Sequence, residues 1–153
     1  MKTLKVSLVV LVVLLSNLNI LAQNKQDEIL YAIELADEEY KDIIRYNMNF
    51  SESETVEFWS KMNDYLAERK EAFTEEVNFY VTDYSKMTDE EVKKLTKKMT
   101  HAEEKKKRIK DKHFSKIRKI LPSKKFLRFV QIDYYLEAAR NFNISSQMPL
   151  IKG

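Results

Sequence analysis

The chain has a single glycine, Gly153, and only two prolines, Pro122 and Pro149. Tight hairpins and multi-stranded sheets use glycine, proline and asparagine at their turns, because those residues supply positive φ or a preset φ at no steric cost. A chain of 153 residues that lacks them almost completely reads as a few long helices joined by a few short connections.

The apolar spacing agrees. Ile29, Ile33, Ala36, Tyr40 and Ile43 recur at steps of three and four and predict a first helix over residues 26–46. Two capping boxes follow. Ser51 with Glu54, and Thr88 with Glu91, place a hydroxyl at a helix start and a carboxylate three residues on that reaches back to the cap's own amide. Met87 precedes the second box and is placed to staple onto Val92. The second helix carries Val56, Trp59, Met62, Leu66, Phe73, Val77, Tyr80 and Tyr84, and the third Val92, Leu95, Met99, Ala102, Ile109, Ile117 and Ile120. Pro122 ends the third, since it disfavours helical geometry at Leu121 and has no amide to donate. A fourth helix is predicted from Ser123 to Phe142, with Leu127, Val130, Tyr134 and Leu136 among its apolar positions, and the remainder, 143–153, as an extended tail. The fold class is therefore all-α: elongated antiparallel hairpins of about four helices, two of them long. Helices of about 30 residues run about 45 Å, whereas a compact domain of this size is only about 36 Å across.

Charge is segregated along the chain. Residues 23–104 hold 11 basic against 21 acidic side chains, and residues 105–153 hold 14 basic against 3 acidic. The segment KKKRIKDKHFSKIRKILPSKKFLRF, residues 105–129, has the look of a nucleic-acid-binding arm, but the amino-terminal segment argues otherwise. Lys2 and Lys5, the apolar run Leu8 to Leu15, polar Ser16 and Asn17, and Ala22 at the expected cut form the pattern of a secretory signal peptide over residues 1–22. The run is shorter than the roughly 20 apolar residues of a spanning helix. No cysteine is present to accept a lipid or form a disulfide. The expectation is one helical domain over 23–142, outside the cytoplasm and in the periplasm, with no nucleic-acid partner. The basic segment then has two readings: a solvated face whose lysine stems cover apolar neighbours, or one side of a charge pairing with the acidic helices. That pairing would involve Asp37, Glu38, Glu39 and Asp42 in the first helix and Glu68, Glu71, Glu75 and Glu76 in the second, within the chain or between subunits. Lys105, Lys106, Lys107, Arg108 and Lys112 mark it as a candidate client or partner surface.

Catalytic chemistry finds no foothold. There is no glycine-rich phosphate loop, no cysteine nucleophile and no serine elbow, so the expectation is no enzyme and no cofactor. His113 lies four residues from Ile109 and from Ile117 and reads as a core histidine. His101 and Glu104, three apart, offer two ligands where a metal site takes three or four.

The motifs Phe50-Ser51-x-x-Glu54, Phe58-Trp59 with Tyr65, the T-D-E-E start at Thr88, and Ile120-Leu121-Pro122-x-Lys124-Lys125-Phe126 with Gln131 together resemble the Spy/CpxP-like, LTxxQ group of periplasmic proteins. The likeness spans about residues 27–140 and is nearest to short secreted proteins labelled sensors of extracytoplasmic-function sigma factors. The two LTxxQ positions fall at Phe50, Ser51, Glu54 and at Leu121, Pro122, Lys125. In the first, Phe stands for Leu and Glu for Gln; in the second, Pro stands for Thr and Lys for Gln. The resemblance implies a helical-hairpin homodimer shaped as a shallow cradle. Its implied role is an ATP-independent holding chaperone or envelope-stress modulator, with unfolded or membrane-protein clients. The alternatives are a signalling component that binds a sensor or anti-sigma factor, and a periplasmic metal sensor.

Overall fold

A computed structural model describes residues 22–146. Residues 1–21, where the signal peptide is expected, and 147–153, most of the expected tail, lie outside the described residues. The described chain is all-helical: α1 Ala22–Met48, α2 Glu52–Val81, α3 Asp89–Ile120 and α4 Ser123–Ser145, with one turn of 3₁₀ helix, Tyr84–Lys86, between α2 and α3. α2 and α3 are the long pair at 30 and 32 residues.

The connections are made by the residues that the sequence singles out. Ser51 and Thr88 cap α2 and α3, and each capping box is complete, with Glu54 and Glu91 accepting from the cap amides at 2.8 Å. α1 ends at Asn49, whose φ of 46° lies in the left-handed region that asparagine tolerates at a helix end. Leu121, held extended (φ −109°, ψ 142°) by the following Pro122, turns the chain from α3 into α4. α4 continues to Ser145, three residues past the expected end at Phe142.

The helices form an antiparallel bundle in which α2 and α3 share the longest contact. α1 packs on both α2 and α4, and the α3 and α4 backbones approach each other over a shorter stretch. The core is concentrated at the end that holds the Asn49–Ser51 and Leu121–Pro122 corners. Ile44 and Met48 of α1, Phe58, Met62 and Leu66 of α2, Phe114 and Ile117 of α3 and Phe129 of α4 meet there. Phe129 is fully buried, and its ring centroid lies 5.4 Å from Phe58 and 4.9 Å from Phe114, the first contact edge-on. Each such side chain, when fully buried, contributes about 1.5–3 kcal/mol through the area it removes from water.

Two predicted faces differ from the observed ones. In α1 the buried line is Tyr40, Ile44 and Met48, so Ile44 enters the core and Ile43 stays at its edge. Spacings of three and four fit both lines, and only the neighbouring helices choose between them. In α4, Leu127 and Tyr134 are exposed, and the inward side is Phe126, Phe129, Val130, Asp133 and Leu136.

Candidate functional site

The basic segment finds its acidic counterpart within the chain. Lys112 pairs with Glu68, Lys105 Nζ lies 2.6 Å from Glu75 Oε1, and Lys106 Nζ lies 3.0 Å from Glu76 Oε1. As the α2 position rises from 68 to 76 the α3 position falls from 112 to 106, which is the register of an antiparallel pair. Lys107 and Arg108 pair only along their own helix, with Asp111 and Glu104, and both are exposed. Of the α1 carboxylates, Glu38 and Asp42 bind Lys41 and Arg45 of their own helix, while Asp37 reaches Arg69 of α2. Exposed pairs of this kind each add about 0–1 kcal/mol. Their sharper effect is on register, because a slipped hairpin would set like charges against each other.

Glu68 also faces His113, whose Nε2 lies 3.0 Å away; the imidazole is 1% exposed and sits beside the Tyr65 ring. Lys112 first, and then His113, hold the Glu68 carboxyl below the usual carboxylate range. His113 thus belongs to the core, as its place on the apolar stripe indicates. His101 and Glu104 are exposed and 4.0 Å apart, and among the described residues no group of three or more His, Cys, Asp or Glu side chains converges to hold a metal.

Phe50, Ser51, Glu54, Leu121, Pro122 and Lys125 come together at one corner. Glu54 closes the α2 capping box and also accepts from Lys125 Nζ, which reaches the Asn49 carbonyl at 3.1 Å as well. Glu54 and Lys125 are therefore partners 71 positions apart. Lys125 first, and then the Ser51 amide, hold the Glu54 carboxyl below its ordinary range. Phe50 packs on Phe58 with centroids 4.5 Å apart, and Leu121 is buried in the same cluster. Pro122 is exposed at the turn.

Midway along the bundle a polar layer ties all four helices together. Tyr40 of α1 donates to Asp133 Oδ1 of α4 at 2.8 Å, Lys110 of α3 lies 2.6 Å from Asp133 Oδ2 and also bonds Glu137, and Arg69 of α2 bonds Asp37. The Arg69 guanidinium stacks 4.6 Å from the Tyr40 ring. Burial first, and then Asp133, push the Tyr40 phenol well above its ordinary range. Burial disfavours the Lys110 charge, but Asp133 and Glu137 outweigh it and raise its pKa.

The feature that sequence reasoning missed is the outer face of α4. Leu127, Gln131, Tyr134, Ala138 and Phe142 follow at steps of four, three, four and four, all exposed, with Tyr135 beside them. Leu127, Tyr134, Tyr135 and Phe142 are each more than half exposed. The two acids of α4 are taken up inside, Asp133 and Glu137 both on Lys110, so the stripe carries no carboxylate. At the same end of the bundle Lys116, Arg118, Lys119, Lys124 and Arg128 are exposed, and none has a carboxylate partner among the described residues. The signal was present in the sequence as apolar residues on every side of α4, which marks a helix apolar beyond what one buried face needs. None of the family models, curated proteins or solved structures compared with the chain matches it.

Proposed function

We propose that this chain is a non-enzymatic binding protein, secreted across the inner membrane, that holds unfolded clients without ATP and so moderates envelope stress. The observation that carries this reading is the α4 stripe. It is an aromatic and aliphatic face about 22 Å long, from Leu127 to Phe142, whose large apolar side chains are each more than half exposed. A contiguous exposed apolar face of this kind marks an interaction site. Its cationic end, at Lys124 and Arg128, draws acidic segments of a client toward it, while an apolar stripe without fixed hydrogen-bond geometry accepts many sequences. The resemblance to Spy/CpxP-like proteins supports the same reading, and an antiparallel homodimer that shapes two such faces into one cradle belongs with it.

Light scattering by a chemically denatured, unrelated protein diluted into buffer tests the proposal. The purified chain is expected to suppress the rise in scattering without nucleotide, and the variant Leu127→Ser/Tyr134→Ser/Phe142→Ser, with helicity unchanged, to lose most of that effect. Scattering that rises equally fast with and without excess protein overturns it. Recovery of one stoichiometric membrane partner, in place of many clients, supports the signalling alternative.

A further inference from the structure

Arg140, half-buried on α4, has no carboxylate in ion-pair contact among the described residues. Arg69 has Asp37, Lys106 has Glu76 and Glu103, Lys110 has Asp133 and Glu137, and Lys125 has Glu54. Arg140, on α4, instead stacks its guanidinium 4.5 Å from the Phe73 ring of α2, and its Nε is buried with no hydrogen-bond partner. Stacking on a ring face satisfies the cation from one side and leaves the in-plane N–H donors unused. A buried N–H left without a partner, as Nε is, is costly, and an anion in the plane of the guanidinium removes the cost.

The space for such an anion is present. Arg140 lines a cleft of ≈ 300 Å³ between α2, α3 and α4, whose apolar walls include Tyr65, Phe73, Ile109 and Tyr134. That volume is at the lower end of what small-molecule sites enclose, about 300–1,000 Å³. The remaining charges of the lining fix the ligand's charge. Arg69, Lys106, Lys107 and Lys110 are each matched by a carboxylate, and Glu103, Asp111 and Glu137 stand on the same walls, where they repel a multiply charged anion. Arg140 is the one lining cation with no carboxylate in ion-pair contact among the described residues.

We propose that this cleft binds a small organic monocarboxylate, with its carboxylate bidentate on Arg140 and its apolar body against Phe73, Tyr65 and Tyr134. The planar guanidinium fork suits a planar carboxylate, and the rings suit an aryl or short alkyl body. Burial first, and then the neighbouring Arg69 charge, hold the Arg140 guanidinium below its ordinary range, which a bound anion would reverse. Tyr134 borders both this cleft and the client-holding face, whereas Arg140 is not part of the exposed stripe, so substitution of Arg140 separates the two readings.

The probe is 3-phenylpropionate, with the neutral 3-phenylpropanamide as its control. Both are titrated into the ¹⁵N-labelled purified chain to about 10 mM, past the millimolar limit of weak specific binding. One arginine Nε–Hε resonance, the one absent from Arg140→Lys, is expected to shift saturably with the carboxylate and not with the amide. Calorimetry is expected to show affinity falling about tenfold or more in Arg140→Gln, the loss of a charge-assisted pair. If Arg140→Gln does not fold, the carboxylate and amide titrations of the unaltered chain decide alone. No saturable shift with the carboxylate, or equal binding of the amide, overturns the proposal.

Discussion

Replacing Lys106 with methionine isolates the cost of one cross-helix charge. Glu76, its partner 3.0 Å away, is 2% exposed, while the second partner, Glu103, is in solvent. Breaking a fully buried ion pair by removing one partner costs about 3–5 kcal/mol, and the half-open position of Lys106 reduces this to about 2–3 kcal/mol. With a urea dependence of about 2 kcal/mol per molar, the unfolding midpoint is expected to fall by about 1–1.5 M near pH 8. The loss is pH-dependent, and its sign follows from Glu76. Burial already raises this carboxyl above its ordinary value, and Lys106 is the main group that holds it down. Without Lys106 the folded-state pKa rises further, so the folded state takes up a proton more readily than the unfolded state as pH falls, and the penalty shrinks toward pH 5. Glu76→Gln on the Lys106→Met background is expected to recover more than half of the loss at pH 8. Lys105→Met, whose partner Glu75 is exposed, is expected to cost about 0–1 kcal/mol. A penalty equal at pH 5 and pH 8, or equal in Lys105→Met and Lys106→Met, would refute the reasoning.

Three further outcomes are expected. Phe129→Ala empties the point where the Phe58 and Phe114 rings meet and is expected to cost about 3–5 kcal/mol in denaturant unfolding, much of a domain's total stability. Ser51→Ala removes the α2 cap at a cost of about 1 kcal/mol, and Ser51→Gly costs only a few tenths, both read by thermal melting. The depressed carboxyls Glu54, Glu68 and Glu91 contribute stability that is present above their unfolded value of 4.5 and is lost as pH falls through their lower folded values. Glu76, raised by burial, acts in the opposite direction. Acid titration followed by circular dichroism is therefore expected to show the loss of stability setting in below about pH 4.5, and the Lys125→Met variant to lose less there because Glu54, then held down by Ser51 alone, titrates closer to its ordinary range.

Local chemistry was legible in the sequence wherever a feature is decided within four residues. Both capping boxes, the Leu121–Pro122 corner and the all-helical class depend on neighbours along the chain, and the structure has them. The face that a helix buries is less local. Ile43 and Ile44 are equally good members of an α1 stripe, and α2 and α4 decide for Ile44. In α4, apolar residues on all sides make periodicity silent about direction, and packing on the other helices decides that Phe126, Phe129 and Leu136 face inward while Leu127 and Tyr134 stay exposed. The polar layer is less legible still. Tyr40 and Asp133 are 93 positions apart, Arg69 and Asp37 are 32 apart, and nothing in their surroundings marks them as partners. The charge segregation did foretell a pairing, and the structure settles it as intrachain for Lys105, Lys106 and Lys112. Glu54 and Lys125, 71 positions apart, meet with opposite charge, a contact that no local spacing marks.

The central claim is that clients are held on the outer face of α4, and site-specific photocrosslinking tests it most directly. A photoreactive residue is placed singly at Tyr135, at Leu127 and, as a control, at exposed Glu57 of α2, and each protein is illuminated with a denatured substrate. Crosslinks are expected from Tyr135 and Leu127, declining as the substrate refolds, with few from Glu57. Equal crosslinking from Glu57, or none from either α4 position while scattering is still suppressed, would contradict the account.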